Sequence, residues 1–167
     1  MTAKVELQEK GHQHTVVIRD KVARKEIDTH LAQLIPLVQE HLEKKGVTPA
    51  GRPFARYHNF GPVERINVDL EVGFPVATPV EGESSQEGEV EVVPSELPGC
   101  QAAVVHYRGP YTEIGAAYDV LQEWIQAQDY ESDGTPWESY HSDLTGEDVN
   151  DVWEVAVYWP VKATGAQ

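Results

Sequence analysis

Hydrophobic residues recur along the N-terminal half of the chain at two different periods. A short apolar run, 14-HTVVI-18, predicts a strand. After Glu26, apolar residues follow one another three or four positions apart, which places them on one face of a helix: Ile27, Leu31, Leu34, Ile35, Val38 and Leu42. Gly46 is a suitable C-terminal cap for this helix and Pro49 a stop, whereas Pro36 inside the stripe predicts a kink or a break.

The C-terminal half shows the same order of elements. The segment 102-AAVVHY-107 predicts a strand and Gly109-Pro110 a turn. A second helical stripe follows and ends near Gln128; it consists of Ile114, Tyr118, Leu121 and Ile125. The segment 150-NDVWEVAVYWPV-161 predicts a last strand, as 69-DLEVGFPV-76 does in the first half. Each half therefore reads strand, helix, strand, strand.

Short motifs recur at corresponding places in the two halves. The segment 53-PFARYHNF-60 is echoed by 136-PWESYHSD-143, and each final strand places Glu-Val ahead of an aromatic-Pro-Val ending. We interpret the chain as one domain over residues 1–167, with a first repeat at about 1–80 and a second at about 89–163. Residues 81–88 between them are rich in Glu, Gly and Ser and predict a solvated linker, after which 89-EVEVV-93 predicts a strand.

Strand alternation separates an apolar from a polar face in both final strands. The apolar faces, which we expect in the core, carry Val68, Leu70, Val72 and Phe74 in one strand and Trp153, Val155, Val157 and Trp159 in the other. On the opposite faces, Gly73 and Ala156 are small and leave space beside Glu71 and Glu154. We expect Glu154 to face a ligand cavity. For Glu71, which has Asp69 beside it, a solvated sheet face is the favoured interpretation.

Aromatic residues are concentrated in the second half, since all four Trp and six of the seven Tyr lie after position 100. An aromatic wall with a carboxylate suits organic cations, through the negative faces of the rings and a partly desolvated counter-charge. The candidate ligand-binding residues are Glu154, Glu71, Tyr57, Tyr107, Tyr111, Trp137, Tyr140 and Tyr158.

Composition narrows the possible functions. A net charge of −15 argues against direct nucleic-acid binding, which depends on Lys and Arg at phosphates. No apolar run is long enough to span a bilayer, and the single cysteine, Cys100, excludes an internal disulfide, so we expect a cytoplasmic protein without membrane contact. The histidines are scattered and no cysteines are paired, so we expect neither a metal site nor a cofactor.

Three segments together carry a family resemblance: 105-VHYRGPYTEIGAAYDVLQEWI-125, 135-TPWESYHSD-143 and 154-EVAVYWPV-161. They resemble the GyrI-like small-molecule-binding domain, which also serves as the effector-binding module of multidrug-responsive regulators. The resemblance implies an α+β fold in which duplicated strand-helix-strand-strand units form an antiparallel sheet with two main helices and a central ligand cleft. In the family a cleft glutamate usually stands four residues before the proline of the last strand. Ala156 occupies that place here, and Glu154 lies two residues earlier on the same face.

The resemblance leaves three functions open. The first is a stand-alone protein that captures or senses a lipophilic, aromatic compound, with cations among the candidates, because the chain shows no helix-turn-helix segment. The second is a hydrolase that opens strained electrophilic rings of toxic natural products, with Glu154 as general base and Tyr140 or Tyr158 as proton donor. The third is a protein-interaction inhibitor of a DNA-handling enzyme, which the acidic surface would allow.

Overall fold

The structure, a computed structural model, describes residues 4–23, 26–57, 67–78, 83–84, 91–97, 99–110, 113–141 and 153–164. Within these ranges the chain forms ten strands and two helices. The strands are β1 (Val5–Lys10), β2 (Gln13–Ala23), β3 (Phe54–Tyr57), β4 (Asn67–Val76), β5 (Glu83–Ser84), β6 (Glu91–Leu97), β7 (Cys100–Gly109), β8 (Tyr130–Ser132), β9 (Trp137–Tyr140) and β10 (Trp153–Ala163). The helices are α1 (Ile27–Lys44) and α2 (Gly115–Ala127). The predicted α+β class with two main helices is confirmed.

All strands belong to one antiparallel sheet whose order is β1-β7-β10-β9-β3-β4-β2-β6-β5, with β8 beside β10. The strands β2, β3 and β4 of the first half meet β7, β9 and β10 of the second half through the β3–β9 pair. The first strand of each half pairs with the other half: β1 lies against β7, and β6 lies against β2. The two halves are therefore tied together at three places in the sheet.

Both predicted helical stripes are buried against one face of the sheet, together with the predicted apolar face of β10 and with Leu70, Val72 and Phe74 of β4. Helix α1 is continuous from Ile27 to Lys44, so Pro36 does not break it. A proline removes only one backbone donor from a helix, and the buried stripe on either side of Pro36 holds the two parts to the same sheet.

The end of α1 follows the prediction for Gly46. This residue has a φ of 70°, a conformation that favours glycine. Its N–H donates to the carbonyl oxygen of Glu43 (3.1 Å), and the N–H of Val47 donates to that of Leu42 (2.9 Å). This is the Schellman arrangement, which satisfies two of the last carbonyl groups of the helix.

Gly73 has a different role from the predicted one. A Cβ atom at this position would lie 1.9 Å from the carbonyl oxygen of Val16, so the backbone of β2 fills the space that a side chain would need. Gly73 therefore permits close approach of β2 and β4 and leaves no gap beside Glu71.

Of the predicted linker, residues 83–84 pair with β6, and the remaining linker positions lie outside the described residues.

We expect Gly73→Ala to lower the free energy of unfolding by about 3 kcal/mol, because β2 or β4 must shift to admit the methyl group. The matched control is Gly115→Ala at the start of α2, where a Cβ would meet nothing within 4 Å. This control should change stability by less than about 1 kcal/mol. Urea unfolding followed by circular dichroism compares the two variants, and equal stabilities would contradict the assigned role of Gly73.

Candidate functional site

The two glutamates of the final strands lie in environments opposite to the expected ones. Glu154 is exposed, and its Oε2 is 3.3 Å from Nε of Arg108, the facing residue on β7. With both side chains more than half exposed, this ion pair contributes less than about 1 kcal/mol. Glu71, in contrast, is only 4% exposed and accepts a hydrogen bond of 2.9 Å from Ser95. Ser95 comes from β6, a strand that adds to the sheet beside β2.

A third glutamate, Glu138 on β9, lies on the helix side of the sheet and is completely buried. Three tyrosine hydroxyls donate to its carboxylate: Tyr57 (2.9 Å) and Tyr118 (2.5 Å) to Oε2, and Tyr140 (2.7 Å) to Oε1. We call these four residues the inner cluster. Its members come from β9, β3 and α2, so it forms only when the two halves of the sheet and the second helix are assembled.

Strand alternation and helical spacing explain how the inner cluster is placed. Glu138 and Tyr140 are two positions apart on β9 and therefore share a face. Tyr57 belongs to β3, which pairs with β9, and Tyr118 belongs to the buried stripe of α2. Two tryptophan rings make T-shaped contacts with tyrosines of the cluster: Trp153 with Tyr140 at 5.8 Å between ring centroids, and Trp159 with Tyr118 at 5.9 Å.

The inner cluster favours neutral phenols around a carboxylate. Burial, and secondarily the charge of Glu138, raises the pKa of Tyr118 well above its ordinary value. A phenolate here would be both desolvated and next to a carboxylate. Tyr118 therefore remains an O–H donor, and hydrogen bonds from such donors partly compensate the cost of holding a carboxylate away from water.

A cleft of about 390 Å³ opens on the other face of the sheet, and we call it the outer cleft. Trp137 and Tyr158 face each other across β9 and β10 in its wall, and their rings stack at 5.4 Å between centroids with 10° between planes. The cleft is lined by Glu9, Lys10, Gly11, His12, Gln13, Ala50, Gly51, Arg52, Phe54, Pro75, Leu97, Trp137, Ser139 and Tyr158. Its volume falls within the range usual for small-molecule sites.

The predicted ligand-binding residues thus divide between the two faces. Tyr57 and Tyr140 belong to the inner cluster, and Trp137 and Tyr158 to the outer cleft. The two glutamates, Glu71 and Glu154, are among neither the outer cleft's lining nor the four residues of the inner cluster.

The other two candidates lie near the start of α2. The hydroxyl of Tyr107 donates to the carbonyl oxygen of Pro110 at 2.5 Å, and burial raises the pKa of this tyrosine. Tyr107 therefore contacts the backbone of the turn that precedes α2. Tyr111 lies outside the described residues.

Glu138 and Tyr118 are the residues that the sequence interpretation missed as site candidates. The signal for Glu138 was present, because alternation within 137-WESY-140 puts it on the same face as Tyr140. Tyr118 was assigned to the helical stripe, and nothing in the stripe itself distinguishes a tyrosine that packs from one that donates to a buried carboxylate.

A metal site and a nucleophilic cysteine find little support in the described part of the chain. No group of three or more His, Cys, Asp or Glu side chains there could hold a metal ion. Burial raises the pKa of the Cys100 thiol, the opposite of what a nucleophilic thiolate requires. Among the described residues, no helix is both long and apolar enough to cross a membrane.

The fold is α+β: one antiparallel sheet carries both helices on one face, and a carboxylate–tyrosine cluster is enclosed between the sheet and α2. The profile of the family described as GyrI-like small molecule binding domain matches residues 3–162. The chain therefore belongs to the GyrI-like family. A search of curated proteins gave no match.

Several solved structures share the fold. The C-terminal domain of EcmrR has 23% sequence identity and a TM-score of 0.79, and the alignment covers 98% of this chain and 100% of that domain. In the EcmrR–DNA complex the TM-score is 0.77, the identity is again 23%, and the alignment covers 97% of this chain but only 58% of the EcmrR chain.

Two more distant structures also align over nearly the whole chain. A hydrolase from Listeria innocua has 11% identity and a TM-score of 0.58, with 95% of this chain and 92% of that one covered. SAV2435 bound to tetraphenylphosphonium has 11% identity and a TM-score of 0.51, with 95% and 94% covered. At these identities the likenesses establish the fold.

We expect Tyr118→Phe to lower the free energy of unfolding by about 1–3 kcal/mol near neutral pH, since the carboxylate of Glu138 loses a donor. The difference from wild type should shrink as the pH rises above 10.0, the ordinary pKa of tyrosine. There the unfolded wild-type chain releases the Tyr118 proton while the folded chain keeps it, which favours unfolding. The phenylalanine variant has no such proton, so its stability is not lowered by this effect.

Urea unfolding at several pH values between neutral and alkaline conditions measures this difference. Tyr130→Phe is the control, because Tyr130 is partly buried and stacks on Trp124 outside the inner cluster. A Tyr118→Phe deficit that stays constant across the alkaline range would contradict the assigned environment of Tyr118.

Proposed function

We propose that the domain binds a lipophilic, aromatic small molecule at the inner cluster, and that it prefers a cation. The observation that carries this proposal is the complete burial of Glu138 beneath α2, with three neutral hydroxyls donating to it. A carboxylate in an apolar interior is costly even when it is hydrogen-bonded. A monovalent cation that approached it would gain a strong interaction, because little water would be left to screen the charges.

The aromatic surroundings favour an organic cation over a metal ion. The rings of three tyrosines and two tryptophans lie around the carboxylate, and ring faces attract diffuse cations. Glu138 is the one acidic side chain within this group of residues. The site would therefore select for one positive charge spread over a hydrophobic body.

Ligand entry requires a movement of α2, because Tyr118 on this helix covers the carboxylate. The first turn of α2 has the properties of a segment that opens at low cost. Its N-cap residue, Ile114, makes no side-chain capping hydrogen bond, and the turn contains no acidic residue to favour the helix dipole. We propose that a ligand displaces the Tyr118 hydroxyl from Glu138 as this turn moves outward.

The relatives support a sensing role. EcmrR carries a similar domain in a protein whose complex with DNA has been solved, and SAV2435 has been solved with tetraphenylphosphonium, a lipophilic aromatic cation. We propose that ligand-driven movement of α2 is the signal that such a domain transmits.

We also infer that its two halves are copies of one unit, which the strand order on either side of the β3–β9 pair supports.

A second candidate function is hydrolysis at the same cluster. Its support is the 2.7 Å hydrogen bond between Tyr140 and Glu138, together with the likeness to a Listeria innocua hydrolase. In this version Glu138, and not the exposed Glu154, removes a proton from a water molecule whose oxygen attacks a ring carbon. The strained ring bond then breaks, and Tyr140 gives its proton to the atom that takes the electron pair of that bond. The substrate would be a strained electrophilic ring small enough to displace Tyr118.

Calorimetric titration with tetraphenylphosphonium and with neutral triphenylphosphine oxide tests the binding proposal. We expect the wild type to bind the cation at least about tenfold more tightly, and Glu138→Gln to lose about tenfold in affinity for the cation alone, a difference of about 1.4 kcal/mol. Glu154→Gln makes the same chemical change at an exposed position and should leave both affinities unaltered. Equal affinity of wild type and Glu138→Gln for the cation would refute the proposal.

Incubation with an electrophilic cyclopropane, followed by mass spectrometry of the ring-opened product, separates hydrolysis from binding. If the hydrolase version holds, the wild type and Glu154→Gln should open the ring and Glu138→Gln should not. A product rate at the uncatalysed level in the wild type would remove this candidate, and the binding proposal would stand unaffected.

A further inference from the structure

The outer cleft lies on the face of the sheet opposite the inner cluster, and nothing in the proposed function uses it. Phe54, Leu97 and Trp137 form a small apolar group on this face, with Tyr158 packed beside them. The turn between β1 and β2 and the loop before β3 border the cleft. A stacked aromatic pair therefore stands at the wall of a preformed cavity of about 390 Å³.

The outer cleft carries a local excess of positive charge. The ammonium nitrogen of Lys10 lies 4.9 Å from the centroid of the Tyr158 ring, and Arg52 lines the cleft from the loop. No carboxylate in the described part of the chain forms an ion pair with either side chain. His12 is paired with Glu96, which leaves Glu9 as the carboxylate in the lining. In a chain with a net charge of −15, the lining thus holds two basic side chains, Lys10 and Arg52, against one such carboxylate. The guanidinium group of Arg52 also donates to the carbonyl oxygen of His141 at 3.3 Å.

These observations specify the chemistry of a ligand. A negative group can contact the ammonium group of Lys10, which lies over the Tyr158 ring, and the guanidinium group of Arg52. A hydrophobic body can lie against the part of Tyr158 that remains exposed. Polar side chains in the lining, Gln13 and Ser139, can supply further hydrogen bonds. An organic cation is disfavoured, because it would meet Lys10 and Arg52.

We propose that the outer cleft is a second binding site, specific for an organic carboxylate with a hydrophobic body the size of one or two rings. Its preference is opposite in charge to that of the inner cluster. The two sites share β9 as a wall, because Trp137 faces the outer cleft and Glu138, the next residue, faces the inner cluster. This second site does not depend on the proposed function of the inner cluster.

Calorimetric titration with naphthoate and with its neutral analogue naphthamide tests the second site. We expect naphthoate to bind at one saturable site, about tenfold more tightly than naphthamide, which corresponds to one charge-assisted contact. Lys10→Met and Arg52→Gln should each weaken naphthoate by about three- to tenfold and leave naphthamide unchanged. Lys4→Met is the matched control, since it removes the same charge from an exposed residue outside the lining and should alter neither affinity.

The Glu138→Gln variant distinguishes binding of naphthoate at the outer cleft from binding at the inner cluster. Naphthoate affinity that is unchanged in Glu138→Gln, together with its loss in Lys10→Met, is the result expected for the outer cleft. Equal affinities for the two probes, or full naphthoate binding in both the Lys10 and Arg52 variants, would overturn the proposal. Loss of naphthoate binding in Glu138→Gln alone would assign the probe to the inner cluster and would equally overturn it.

Discussion

The pairing of β3 with β9 decides what both faces of the sheet can do. These two four-residue strands join the halves of the molecule, with Ala55 opposite Glu138 and Arg56 opposite Trp137. Because side chains alternate along a strand, this register directs Glu138 toward the helices and Trp137 toward the outer cleft. A slip by one residue would exchange them, leaving a carboxylate on the outer face and a tryptophan in the core.

The same pairing explains why the inner cluster contains one carboxylate and two matching tyrosines. Tyr57 and Tyr140 occupy the same place in the two recurring motifs, and both hydroxyls converge on Glu138. The residue in the first motif that corresponds to Glu138 is Ala55, which is also its partner across the strands. Alanine leaves room for the converging phenols. A second glutamate there would place two carboxylates side by side in a buried setting, at a high electrostatic cost.

The sequence predicted those features that depend on local periodicity. Both helical stripes, the apolar faces of β4 and β10 and the C-terminal cap at Gly46 follow from spacing along a single segment. The environments of Glu71 and Glu154 could not follow in that way, since alternation assigns a side chain to a face but does not show what covers it. Ser95 reaches Glu71 from a strand more than twenty residues away in the chain. The inner cluster combines three elements from both halves, so its composition depends on strand order, which periodicity does not specify.

The two proposed sites can differ in charge preference within one acidic chain because they experience its charges differently. At physiological ionic strength, exposed charges are largely screened beyond about 8 Å, so most surface carboxylates have little influence within the outer cleft. Lys10 and Arg52 border that cleft directly and therefore set its local potential. Glu138 is buried, where screening by salt is weak, so its carboxylate would interact more strongly with the proposed cationic ligand than a surface carboxylate would. Burial of Glu138 on one face and screening of the surface carboxylates on the other thus allow the two proposed sites to prefer ligands of opposite charge. The net charge of the chain alone would predict a preference for cations at both sites.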